Sequence, residues 1–149
     1  MKRILLITLF LSLAGCSSLG ILVVNDTLTA SQHNDLGFAY EEQGKLKLAE
    51  KEYRLAIKKE KGPYLPYFNL GNVYFKLSEL DQSIKYYRAA LKRNPENPDI
   101  MNNLAYALLK NGDYLEARDL IEKAITVAAK PEYLDTRDQI RLKLPENQR

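Results

Sequence analysis

Between residues 30 and 131 the helix-packing positions recur at spacings of three and four, and the whole pattern then repeats. Tyr67, Leu70, Gly71 and Tyr74 stand three, one and three residues apart. His33, Leu36, Gly37 and Tyr40 show the same spacing earlier, and Met101, Leu104, Ala105 and Leu108 show it later. A second set follows each: Ala49, Tyr53 and Ala56; Ser83, Tyr87 and Ala90; Ala117, Ile121 and Ala124. Spacings of three and four place side chains on one face of a helix. The pattern predicts two amphipathic helices in each of three segments, 30–63, 64–97 and 98–131, all 34 residues long. Gly37, Gly71 and Ala105 are small where paired helices approach closely, as are Ala49, Ser83 and Ala117 on the facing helices.

The punctuation agrees with this division. Gln43-Gly44, Leu77-Ser78 and Asn111-Gly112 are breaks within pairs, while Gly62-Pro63 and Asn94-Pro95 are breaks between them. Thr29 with Gln32 forms the pattern of a capping box for the first helix. After the third segment, residues 131–144 are predicted as a capping helix, with Pro131 tolerated in its first turn. Tyr133, Leu134 and Ile140 are expected to cover the third pair, and Arg137, Asp138 and Arg141 to face water. Leu144-Pro145 ends that helix, and 145–149 are expected as a disordered tail.

The N-terminus follows a different rule. Lys2 and Arg3 precede a short apolar run, Ile4 to Leu13, broken by Thr8 and Ser12 and followed by small residues. That is the layout of a secretory signal peptide. A permanent transmembrane helix needs about 20 apolar residues, so the run is too short to span. Residues 1–15 are read as the signal peptide, 16–28 as a tether and 29–144 as the folded domain. Ile21 to Val24 is either a small apolar patch on the first helix or a membrane-proximal contact.

Two resemblances rest on these residues. The three in-phase 34-residue segments resemble the tetratricopeptide repeat, with His33 and Met101 in place of a large aromatic and Lys61 and Ala129 in place of Pro. Glu132 to Thr136 resembles the opening of a fourth repeat, but Arg137 and Asp138 replace its Leu-Gly step. The expected fold is all-α: a short solenoid of three helix-turn-helix repeats closed by a C-terminal capping helix. Leu13-Ala14-Gly15-Cys16 resembles the bacterial lipobox. The alternatives are an ordinary cleavage site that contains a cysteine, or a lone buried thiol. The lipobox resemblance implies a lipid-modified Cys16 at the start of the mature chain and a place in the bacterial cell envelope. Ser17, rather than Asp, after it resembles the outer-membrane class, facing the periplasm. Each buried lipid CH₂ contributes about 0.8 kcal/mol, so several chains anchor stably.

Composition then excludes several functions. The formal charge is +3, and it falls to +1 without Lys2 and Arg3. A nearly neutral domain is a poor partner for nucleic acid. Cys16 is the single cysteine, so no disulfide can form within the chain. His33 is the single histidine and occupies a helix-packing position, so core or interface is the expected role. No converging metal ligands, no nucleophile–base pair and no phosphate loop occur, so neither an enzyme nor a cofactor is expected. Lys58, Lys59 and Lys61 form a small basic spot interrupted by Glu60, read as a solvated helix face.

The tetratricopeptide resemblance implies a concave groove, lined by the first helix of each pair, that holds peptide segments. By register its candidates are Asn34, Asp35, Phe38, Leu65, Phe68, Asn69, Asn72, Phe75, Asn102, Asn103, Tyr106 and Lys110. The row Asp35, Asn69 and Asn103 recurs every 34 residues. Amides offer both donor and acceptor and suit a peptide backbone, while the aromatics add contact area. Alternatively the asparagines bond within the helix pairs, and Phe68 and Phe75 pack between repeats. Asn34, Phe38, Asp99 and Asn103 stand where a basic carboxylate clamp or its neighbours would be wanted, so no clamp is predicted. The expected function is a membrane-anchored adaptor that binds an envelope protein or peptide segment and assists assembly of a pilus or secretion complex. Its rivals are a self-associating structural protein and an accessory subunit beside an envelope enzyme such as a peptidase.

Overall fold

The computed structural model describes residues 26–148. Cys16 and the predicted signal peptide lie outside the described residues, as does most of the predicted tether. Seven α-helices follow one another: α1 Ala30–Glu42, α2 Leu46–Lys59, α3 Leu65–Lys76, α4 Leu80–Leu91, α5 Pro98–Asn111, α6 Tyr114–Val127 and α7 Pro131–Arg141. They pair as α1/α2, α3/α4 and α5/α6, the pairs stack in sequence, and α7 packs on α6 and α5. The architecture is all-helical among the described residues, a short stack of hairpins that no single pair could stabilise alone.

Local chemistry explains the boundaries. Thr29 Oγ1 accepts from the Gln32 amide at 3.2 Å, and Gln32 Oε1 accepts from the Thr29 amide at 2.9 Å, closing the capping box. Each hairpin turns in the same way. The amides of Lys45, Glu79 and Asp113 donate to Tyr40, Tyr74 and Leu108 oxygens, each at 2.9 Å. The preceding residues Gly44, Ser78 and Gly112 have φ of 71°, 61° and 96°. These are Schellman closures, which need one left-handed residue just past the helix end. Ser78 is the one of the three that carries a Cβ into that region.

The pairs are held by a small-residue contact repeated along the stack. A Cβ on Gly37 would meet the Tyr53 ring at 2.7 Å, and one on Gly71 the Tyr87 ring at 2.6 Å. In the third pair Ala105 faces the place of Ile121, and a methyl fits where no ring stands opposite. Ala49, Ser83 and Ala117 are fully buried on the second helices, and Ser83 Oγ donates to the Gly71 carbonyl at 2.9 Å. The largest apolar cluster runs from α4 to α7 and takes in Tyr87, Leu104, Leu108, Ile121, Tyr133 and Ile140.

Two end regions differ from expectation. The last part of the predicted tether is not loose at Asp26. Its Oδ2 lies 2.8 Å from His33 Nε2, and Lys59 Nζ donates to its carbonyl at 2.7 Å. His33 is 2% exposed, and its Nδ1 lies 2.7 Å from Glu52 Oε2. The histidine therefore sits between two carboxylates, in the interface role expected. At the other end, α7 stops at Arg141, Leu144 is buried, and Glu146–Gln148 forms a 3-10 turn. Arg118 Nη1 donates to the Gln148 carbonyl at 3.0 Å, so residues 145–148 fold back on α6 instead of trailing as a disordered tail.

Candidate functional site

The repeat geometry places α1, α3 and α5 side by side, and α7 extends this inner face. A cavity of about 410 Å³ opens there, within the size range of ligand pockets. Five of the predicted groove residues meet in its wall: Asn72 and Phe75 from α3, and Asn102, Asn103 and Tyr106 from α5. The rings of Phe75 and Tyr106 lie 5.5 Å apart and tilted by 42°, a favourable aromatic arrangement. Lys110 rests over the Tyr106 ring at 4.7 Å.

The amides of the cavity form a directed chain. Tyr87 donates its hydroxyl to Asn72 Oδ1 at 2.7 Å, and Asn103 Nδ2 donates to the same oxygen at 3.2 Å. Asn102 Nδ2 then donates to Asn103 Oδ1 at 3.3 Å. Burial pushes the Tyr87 phenol well above its ordinary value, so it keeps the proton that it donates to Asn72. The chain ends at Asn102 Oδ1, which is buried and has no hydrogen-bond partner among the described residues.

The other predicted residues lie elsewhere. Asn69 Nδ2 donates to Asn34 Oδ1 at 3.0 Å, and both side chains are buried between α1 and α3. Asp35 is exposed and lies outside the cavity wall, as does Phe38 at 54% exposure. Phe68 is half-buried and packs 5.8 Å from the Tyr87 ring. Leu65 belongs to a separate hollow beside Asn34 and Pro66. The 34-residue row of Asp35, Asn69 and Asn103 is thus divided among solvent, an inter-repeat bond and the cavity.

Sequence reasoning missed the far wall. α7 contributes Glu132, Asp135, Thr136 and Gln139 to the cavity, and α1 and α3 contribute Glu41 and Lys76 at its edge. A signal existed: Thr136 stands 34 residues after Asn102, so α7 continues the register of the inner face. Lys76 Nζ donates to Glu41 Oε1 at 2.8 Å, while Tyr53 donates to Glu41 Oε2 at 2.8 Å. Asp135 accepts from Gln139 at 2.8 Å, and neither Glu132 nor Asp135 has an ion-pair partner among the described residues. Among those residues, no cluster of three or more His, Cys, Asp or Glu is arranged to hold a metal ion. No described helix is long and apolar enough to cross a membrane.

Two family models, both described as Tetratricopeptide repeat, match residues 33–58 and 68–133. The chain contains tetratricopeptide repeats. The human Tetratricopeptide repeat protein 6 is 36% identical to it over 77 residues, covering 52% of this chain and 15% of that protein. The chain thus aligns with a small part of that relative's length. Solved tetratricopeptide domains share the fold at low identity. The first such domain of Spaghetti (RPAP3), bound to HSP90 peptide SRMEEVD, superposes with a TM-score of 0.75 at 18% identity, over 78% of this chain and 94% of that one. The Arabidopsis OM64 domain gives 0.74 at 16% identity, over 77% and 96%. The second domain of human RPAP3, in complex with HSP70 peptide SGPTIEEVD, gives 0.72 at 18%, over 75% and 94%. The tetratricopeptide stack here keeps that fold, but its cavity has one cation, Lys76, and that cation is bonded to Glu41.

Proposed function

We propose that this chain is a protein–protein interaction adaptor that holds a peptide segment of a partner in the cavity between α3, α5 and α7. The observation that carries the reading is the wall itself. Two tilted aromatic rings supply apolar area, and three asparagines supply donors and acceptors suited to a peptide backbone. Peptide binding by two similarly folded domains supports it. Nothing in the wall is arranged for bond-making chemistry, which favours holding over turnover. The adaptor works at the bacterial envelope, tethered by lipid on Cys16 and lying on the outer membrane, where it helps a pilus or secretion complex to assemble.

The binding half is tested by capture. Full chain is immobilised and exposed to envelope extract, beside Phe75→Ala with Tyr106→Ala. Loss of the captured partner, with helical content retained by circular dichroism, is expected. Equal capture by the double variant would dismiss the cavity. The anchoring half is tested by mass spectrometry of the natural protein. A mass for 16–149 plus a diacylglyceryl group is expected, and an unmodified thiol behind Met1 overturns it. Normal multimers of the complex in a deletion strain would dismiss the assembly role.

A further inference from the structure

The cavity has a sign. Four of its lining side chains are ionisable at neutral pH: Glu41, Lys76, Glu132 and Asp135. Lys76 and Glu41 cancel one another across 2.8 Å. The two carboxylates of α7 remain, and no cation among the described residues pairs with either. Glu132 lies in the first turn of α7, where a negative side chain also favours the helix dipole. Asp135 lies beyond that turn, so the dipole gives no reason for it. Phe75 and Tyr106 add ring faces, which attract cations. Lys110 already uses the Tyr106 ring in this way, at 4.7 Å.

We infer that the cavity selects a cationic segment: a partner peptide carrying arginine or lysine, with its charged head between the α7 carboxylates and the rings of Phe75 and Tyr106. Arginine fits best, because its planar fork presents five donors and no acceptor. Its N–H groups meet the carboxylates while its plane lies on a ring face. An acidic peptide, such as the EEVD-ended segments held by two of the similarly folded domains, meets like charge here and is disfavoured. The inference rests on the cavity being the peptide site, and it adds the chemistry of the occupant.

The test is selection from a library of random nonapeptides on phage against the immobilised full chain, followed by fluorescence anisotropy of the enriched peptides. Enrichment of arginine- and lysine-bearing peptides is expected. Their affinity should fall by about tenfold in Glu132→Gln with Asp135→Asn, as two partly exposed charge contacts are lost. Neutralising two exposed acids outside the cavity, Asp81→Asn with Glu96→Gln, should leave affinity unchanged. An equal fall in that control overturns the inference, because the attraction is then general. Enrichment of acidic or uncharged peptides that Phe75→Ala weakens overturns it while leaving the cavity as a peptide site. Absence of any enriched peptide overturns both.

Discussion

Asn69 on α3 donates its side-chain amide to Asn34 on α1, 3.0 Å away, and the two side chains are 9% and 8% exposed. This is a bond between neighbouring repeats, made where water cannot replace it. Asn69→Ala removes the donor and leaves the Asn34 oxygen buried without it. A loss of about 1–3 kcal/mol in unfolding free energy is expected by urea denaturation. Peptide binding in the cavity, measured on the still-folded variant, should change little.

Gly71 lies under the Tyr87 ring with no room for a methyl group. Gly71→Ala gains helix propensity but forces the ring or the α3/α4 spacing to shift. Overpacking of this kind costs about 1–3 kcal/mol. Calorimetry should show a lower Tm. Pairing the change with Tyr87→Ile copies the Ala105/Ile121 combination of the third repeat and should recover part of the loss.

Ser78 holds φ at 61° in the turn where the other two hairpins use glycine. A side chain in that region costs about 1–2 kcal/mol. Ser78→Gly relieves the strain, although a more flexible unfolded chain offsets some of the gain. A net stabilisation of a few tenths to about 1 kcal/mol is expected by urea titration. A destabilised variant would show that the Ser78 backbone is not strained.

Asp99 joins α5 to the end of the stack through Lys130, 2.6 Å away, and through the Tyr133 hydroxyl. The hydrogen bonds from Lys130 and Tyr133 hold its carboxyl below the ordinary value of 3.8. The same contacts hold the Lys130 ammonium above its ordinary 10.5. A lowered carboxyl contributes stability above 3.8 that is lost as pH falls through its folded value; a raised ammonium contributes stability below 10.5 that is lost as pH rises through its own. The tie is whole between those limits. Amide hydrogen exchange should show α7 losing protection ahead of α3 as the solution is acidified, and Asp99→Asn should flatten that acid response.

How far the chain could be read depended on how local the cause was. The hairpin turns at Gly44, Ser78 and Gly112 and the capping box at Thr29 follow from residues within six positions, and they stand where composition placed them. The inner-face asparagines did not all follow. Asn34–Asn69 spans 35 residues and Asn72–Asn103 spans 31, so neither bond obeys the 34-residue period. Side chains lean toward the helix N-terminus, and neighbouring helices cross at an angle. Which amide meets which is therefore set by the twist between repeats. The acids of α7 stayed hidden for a similar reason. Glu132 and Asp135 join the cavity only through how a helix without its own partner docks on α5 and α6.

The clasp of Asp26 by His33 and Lys59 has a mechanical consequence. A pull on the backbone at Asp26 is shared between α1, through His33, and α2, through Lys59, so both helices of the first pair take the load together.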